Sequence, residues 1–284
     1  MRSDKLIARF IPDKFDREMK TALTIAGSDS SGGAGIQADL KTFSVLGVYG
    51  MSAVTAVTAQ NTQGIRESLV IDAKLVAQQI DVTASDIQVD ATKTGLLPSA
   101  AIVEAVEDSM KRNNLQPYVC DPVLLMLDKE QMVKPDALNA IKRKLFPLAS
   151  VVTPDKREAA ALTGGDANLL TSVAAAKDVA RRLAGQGARA VVIKAIEVAD
   201  QMIDVFYDGK EFYELAGKTQ PAEKKHGSGS AFSAAITAGL ANRLSLLDAI
   251  DQAKNLVNMA IQYSDGQGRG VAPINVLAFA PKKK

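Results

Sequence analysis

Ala26-Gly27-Ser28-Asp29-Ser30-Ser31-Gly32-Gly33-Ala34-Gly35-Ile36-Gln37-Ala38-Asp39 follows a short apolar run and opens a helix-like one. Glycine at a strand-to-helix turn lets bare backbone approach a ligand, and the free amides at a helix start favour an anion. A second turn of this kind, His226-Gly227-Ser228-Gly229-Ser230, opens a helix rich in small side chains. Two such turns point to a site for a small substrate and an anion.

Outward from these turns the chain alternates. Strand-like runs fall at Ala22–Ala26, Ser52–Ala59, Gln88–Lys93, Tyr118–Asp121, Ser150–Thr153 and Ala190–Lys194, several of them continuously apolar. Runs of that kind suit strands covered on both faces. Helical patterns lie between and after them, at Ile36–Leu46, Ala73–Ser85, Ala100–Arg112, Pro135–Leu145, Lys156–Leu162, Leu170–Gln186, Ser230–Arg243 and Leu247–Ser264. This order predicts a mainly parallel sheet between helix layers, with ligand at the carboxyl ends of the strands. Met202–Tyr207 and Glu211–Leu215 flank Asp208-Gly209, a hairpin signal, so an antiparallel edge is expected.

The 284 residues, 47% of them apolar, suffice for one α/β domain. We place it at residues 19–284, with Met1 to Glu18 as an N-terminal extension. Thirty-four Lys and Arg face 32 Asp and Glu, and three of the lysines are the terminal Lys282, Lys283 and Lys284. That balance argues against a nucleic-acid groove. A single cysteine, Cys120, excludes an internal disulfide, and a single histidine, His226, excludes a multi-histidine metal site. With neither a signal peptide nor an apolar run of about 18 residues, a cytoplasmic protein is expected, with no membrane partner.

Gly33-Ala34-Gly35-Ile36-Gln37-Ala38 fits the loose form of a dinucleotide fingerprint, but Ser52 to Gln60 holds no acidic residue for a ribose. The glycine-lysine motif of P-loop NTPases is absent. Thr21 to Asp29 with Ser31 to Thr42 instead strongly resembles the opening of hydroxymethylpyrimidine/phosphomethylpyrimidine kinases, in the ribokinase-like superfamily. The resemblance continues through Thr58-Ala59-Gln60-Asn61-Thr62, Thr92-Lys93-Thr94-Gly95-Leu96-Leu97, Asp121-Pro122-Val123, Val152-Thr153-Pro154 with Glu158-Ala159, and the turn after His226.

What the resemblance implies is a three-layer α/β/α sandwich that moves the γ-phosphoryl of ATP onto a hydroxymethyl aminopyrimidine, then onto its monophosphate. Gly27, Asp39, Gln60, Leu96 and Val123 match pyrimidine-holding positions, and a carboxylate with an amide suits a ring bearing an amino group. The backbone of Gly227, Ser228, Gly229 and Ser230 would face the transferring phosphoryl, and Lys194 would neutralise phosphate charge. Asp155 and Ser228 fall in the nucleotide half, and Asp121 and Glu158 match acidic positions that organise Mg2+. Relatives imply a homodimer.

The departures cluster in the nucleotide half. Ser230 stands where the family carries a cysteine, or the superfamily an aspartate, as base on the substrate hydroxyl, and an unassisted serine is a far poorer base. Ala195-Ile196-Glu197 replaces Gly-Gly-His, Asp155 replaces an asparagine, and Glu223-Lys224-Lys225 replaces a segment typically holding Asn and Thr. Two alternatives therefore stay open beside the thiamine-pathway kinase: a pyridoxine or pyridoxal kinase, and a catalytically weak pyrimidine-binding paralogue.

Overall fold

The computed structural model describes residues 19–124, 133–218 and 225–280. The N-terminal extension, Glu223, Lys224 and the terminal lysines lie outside the described residues.

In chain order the elements are β1 (Thr21–Asp29), α1 (Gly35–Val45), β2 (Tyr49–Asn61), β3 (Gly64–Val70), α2 (Ala73–Asp86), β4 (Ala91–Thr94), α3 (Ala100–Arg112) and β5 (Tyr118–Cys120). They continue as α4 (Pro135–Ala140), β6 (Val151–Val152), α5 (Lys156–Thr163), α6 (Val173–Ala184), β7 (Val191–Val198), β8 (Gln201–Tyr207), β9 (Phe212–Lys218), α7 (Ser228–Ala241) and α8 (Leu246–Gln262). The nine strands form one sheet in the order β3-β2-β1-β4-β5-β6-β7-β8-β9. Pairing is parallel from β2 through β7 and antiparallel at β2–β3, β7–β8 and β8–β9.

Alternation along the strands feeds two cores. Leu23, Ile25, Tyr118, Cys120, Val191 and Ile193 pack on one face, where Val76, Ile102 and Val179 of α2, α3 and α6 meet them. Val119, Val151 and Val192 point to the other face, against Phe232, Ala235, Ile250 and Leu256 of α7 and α8. Both faces of the central strands are covered, giving three layers, and α7 is buried along nearly its whole length. Its small residues permit that: a methyl on Gly239 would strike Ala249 of α8.

Three expectations need correction. The sheet has a second antiparallel edge, β3, which no apolar alternation announces because Arg66 to Val70 are all exposed. The helix expected from Leu170 begins at Val173, where Ser172 caps it by accepting from Ala175 N, and Leu170 instead closes a 3-10 turn. The helix expected over Pro135–Leu145 is α-helical only to Ala140 and continues as a π turn through Ile141–Leu145.

Candidate active site

One cavity of about 420 Å3 opens at the carboxyl ends of the parallel strands. Gly27, Asp39, Gln60, Leu96 and Val123 line it, as do Asp121, Asp155, Glu158, Lys194, Gly227, Ser228, Gly229 and Ser230. Every residue given a substrate, nucleotide, phosphoryl or metal role above thus reaches a single chamber, although the chain segments that carry them span some 200 positions.

The two glycine turns touch. A methyl on Gly227 would run into the Gly33 carbonyl oxygen, and one on Gly33 would enter the His226 ring. Gly227 also has φ 82°, left-handed backbone that favours glycine. Asp29 ties the contact together. Its Oδ1 accepts from Ser31 N and Oγ (2.8 and 2.7 Å), and its Oδ2 from Ala34 N (2.8 Å) and Gly33 N (3.2 Å). His226 Nε2 completes the set at 2.8 Å. Burial opposes ionisation of Asp29, but the hydrogen bonds of His226 and Ser31 outweigh it and hold the carboxyl down at about 2.

At one end of the cavity Asp39 is fully buried, so it is no solvated helix carboxylate. Lys93 Nζ donates to its Oδ1 (2.6 Å) and Thr24 Oγ1 to its Oδ2 (2.6 Å). Burial raises the Asp39 carboxyl against the pull of Lys93 and Thr24. Thr58 Oγ1 donates to Ser28 O at 2.9 Å, with Gln60 Oε1 3.2 Å away.

At the other end Lys194 Nζ pairs with Asp121 Oδ1 at 3.0 Å, both buried. Thr153 Oγ1 donates to the same oxygen (3.1 Å) and Ser233 Oγ to Oδ2 (2.8 Å). Asp155 caps α5: its Oδ1 accepts from Glu158 N and Glu158 Oε2 accepts from Asp155 N, both at 2.8 Å. Burial, then the charges of Asp155 and Asp121, push the Glu158 carboxyl up to about 8, while Lys194 pulls the other way. For Lys194 burial disfavours the cation, yet the three carboxylates prevail and raise it above its ordinary value.

Ser228 N donates to Lys225 O at 3.1 Å, which takes it out of the amides expected to face a phosphate. Gly229 and Ser230 carry the remaining first-turn amides, so the positive end of the helix faces this charge cluster, and a methyl on Gly229 would stand 3.4 Å from Lys194 Nζ. Gly35 N donates to Ser230 Oγ at 3.3 Å, placing that hydroxyl where the turns meet. Cys120 cannot replace the missing thiol. It is buried beneath the site at the end of β5, and burial pushes it up to about 12.

The sequence reading left several of these partners unassigned. Asp29 and His226 stood inside the glycine stretches themselves, and Lys93 was a charge inside an apolar strand. Thr24, Thr153 and Ser233 carried no signal beyond residue type. Among the described residues no helix is long and apolar enough to cross a membrane.

A mainly parallel α/β/α sheet whose carboxyl ends hold a lysine, clustered carboxylates and a glycine-opened helix defines a ribokinase-like phosphotransferase. The chain belongs to the phosphomethylpyrimidine kinase family, whose model matches residues 29–275. It is 42% identical over 258 residues to the hydroxymethylpyrimidine/phosphomethylpyrimidine kinase of Rhizobium meliloti (strain 1021), covering 88% of this chain and 94% of that protein. It is 39% identical to the thiamine biosynthesis bifunctional protein ThiED of Geobacter sulfurreducens, matching 92% of this chain and 53%, about half, of that longer protein. The structure of the pyridoxal kinase from Staphylococcus aureus in complex with AMP-PCP and pyridoxal superposes with a TM-score of 0.83 at 36% identity, over 92% of this chain and 95% of that one.

Proposed function

We propose that the protein transfers the γ-phosphoryl group of ATP to 4-amino-5-hydroxymethyl-2-methylpyrimidine, to its monophosphate, or to both, in thiamine biosynthesis. The observation that carries this reading is the two-ended lining of one cavity, with Asp39 and Gln60 at one end and Lys194 with the start of α7 at the other. The Gln60 amide offers an Nε2 donor suited to a ring nitrogen. Asp39, held by Lys93 and Thr24, keeps lone pairs for an exocyclic amino group. Gly27 and Leu96 set the width: a methyl on Gly27 would stand 3.0 Å from Leu96 Cδ2.

Phosphoryl transfer demands positioning and charge neutralisation more than covalent help. The acceptor hydroxymethyl oxygen bonds to the γ-phosphorus while the bond to the β–γ bridging oxygen breaks, and the hydroxyl proton passes to the transferred phosphoryl. Ser230 Oγ takes an amide hydrogen from Gly35, so its own hydrogen is available to orient the acceptor oxygen. Lys194 and the α7 amides receive the phosphate charge.

The acidic cluster suits a divalent cation. Asp121, Asp155 and Glu158 face one ammonium, and burial first, then the charges of Asp155 and Asp121, raise Glu158. Mg2+ bound by Asp121 and Glu158, directly or through water, would supply counter-charge to the triphosphate. Among the described residues no three His, Cys, Asp or Glu side chains gather tightly enough to hold a metal by themselves, so phosphate and water complete such a shell.

A second reading, phosphorylation of pyridoxal, is favoured by the likeness to the pyridoxal kinase of Staphylococcus aureus. ADP release measured with each alcohol alone, then in competition, separates the two. The proposal expects turnover on the pyrimidine with pyridoxal as a weak competitive inhibitor; turnover on pyridoxal alone overturns it. Binding of the pyrimidine without ADP release would mark a non-catalytic paralogue. A homodimer in the cytoplasm belongs to the same proposal, and sedimentation and cell fractionation test it.

A further inference from the structure

The cavity carries a further buried ion pair, which the functional reading leaves unused. Lys254 of α8 lies 2.9 Å from Asp204 Oδ2 of β8, with side-chain exposures of 9% and 6%, and both residues line the chamber. Lys254 Nζ also donates to Met202 O at 3.2 Å. The other oxygen of Asp204 accepts the backbone N–H of Ala195 at 2.8 Å.

Ala195 follows Lys194 directly, inside β7, at a bulge. Its φ is 60°, and the β7–β8 register shifts between Ile193 and Ile196. An L-residue in that conformation costs roughly 1–2 kcal/mol, so the bulge persists only if something holds it. Asp204 is that hold. The bulge interrupts the β7–β8 pairing around Lys194, whose side chain meets Asp121 in the cavity.

We propose that Asp204, locked by Lys254, is a positioning residue for Lys194: it clamps the Ala195 bulge and so fixes where the ammonium meets the triphosphate. The chemistry requires a carboxylate. Two donors, Ala195 N and Lys254 Nζ, converge on it from different elements, and only a carboxylate offers each an acceptor. An asparagine has one, so whichever way its amide turns, one donor is left facing an NH2 group. The role rests on the phosphate-binding function proposed for Lys194.

The test is a double-mutant cycle read in binding, without turnover. Affinity for Mg-AMP-PCP and for adenosine is measured in the unsubstituted chain, D204N, Lys194→Ala and the combination. We expect D204N to weaken the triphosphate about tenfold and adenosine hardly at all, and to cost nothing further in the Lys194→Ala background. Equal losses for both ligands, or additive losses across the cycle, overturn the proposal. If D204N does not fold, Asp204→Leu with Lys254→Met removes both buried charges and the acceptor of Ala195 N together, and the same selective tenfold loss is expected; full triphosphate affinity in that variant would refute the clamp. An unsubstituted chain that binds no triphosphate overturns the proposed function, and the inference with it, whereas binding with an additive cycle overturns the inference alone.

Discussion

His226 Nε2 lies 2.8 Å from Asp29 Oδ2, and this buried contact binds the two glycine turns into one wall of the cavity. Asp29 serves five donor groups at once, four from its own loop and one from the opposite turn. Because its folded carboxyl sits at about 2 against an ordinary 3.8, its stabilisation is fully present above about pH 4 and is lost as the pH falls towards 2. That contribution is about 2 kcal/mol. Urea unfolding of the wild-type chain and Asp29→Asn is expected to show a gap at pH 6 that closes as the pH approaches 2; a constant gap would mean that Asp29 is not the titrating anchor.

Ala195 is exposed and left-handed, so its methyl packs little and strains the backbone. Ala195→Gly removes the strain but adds chain entropy to the unfolded state, leaving a net gain of about 1 kcal/mol. Thermal and urea unfolding measure it. A neutral or destabilising result would contradict a strained bulge.

The fold was legible where physics is local. Continuous apolar runs at Val191 and Tyr118 marked strands covered on both faces, and Asp208-Gly209 marked its hairpin. β3 escaped because Arg66 to Val70 pack on no core, and an edge strand held by pairing with β2 alone leaves no periodic trace. The site was legible as residue types around two turns. What joins them was not, since Asp29–His226, Asp39–Lys93 and Asp204–Lys254 pair across 197, 54 and 50 positions and only the sheet order brings them together.

Glu158 titrates in the opposite sense to Asp29. Its folded carboxyl, raised to about 8 from 4.5, favours the folded state when protonated and destabilises it progressively as the pH rises from about 4.5 through 8. Glu158→Gln keeps an acceptor for Asp155 N but removes the charge. Calorimetry of the ligand-free variant is expected to show a Tm advantage over wild type that grows between pH 5 and pH 9, with weaker Mg-nucleotide binding. A pH-independent difference would show that Glu158 is not held out of its ordinary range.

Ser230 marks the departure from the family's thiol or carboxylate. Ser230→Cys places a group of pKa about 8.5 at the junction of the turns, and kcat is expected to rise several-fold, more steeply at pH 8 than at pH 6.5. Steady-state rates at both pH values test this, and an unchanged kcat would mean that the acceptor proton leaves without help from residue 230.

The most direct test of the whole account is mass spectrometry of the products formed from Mg-ATP and an equimolar mixture of hydroxymethylpyrimidine, its monophosphate and pyridoxal. The account expects pyrimidine mono- or diphosphate accumulating in proportion to protein, and that accumulation abolished in Lys194→Ala. Pyridoxal phosphate as the only product, or no phosphorylated product at all, would contradict it.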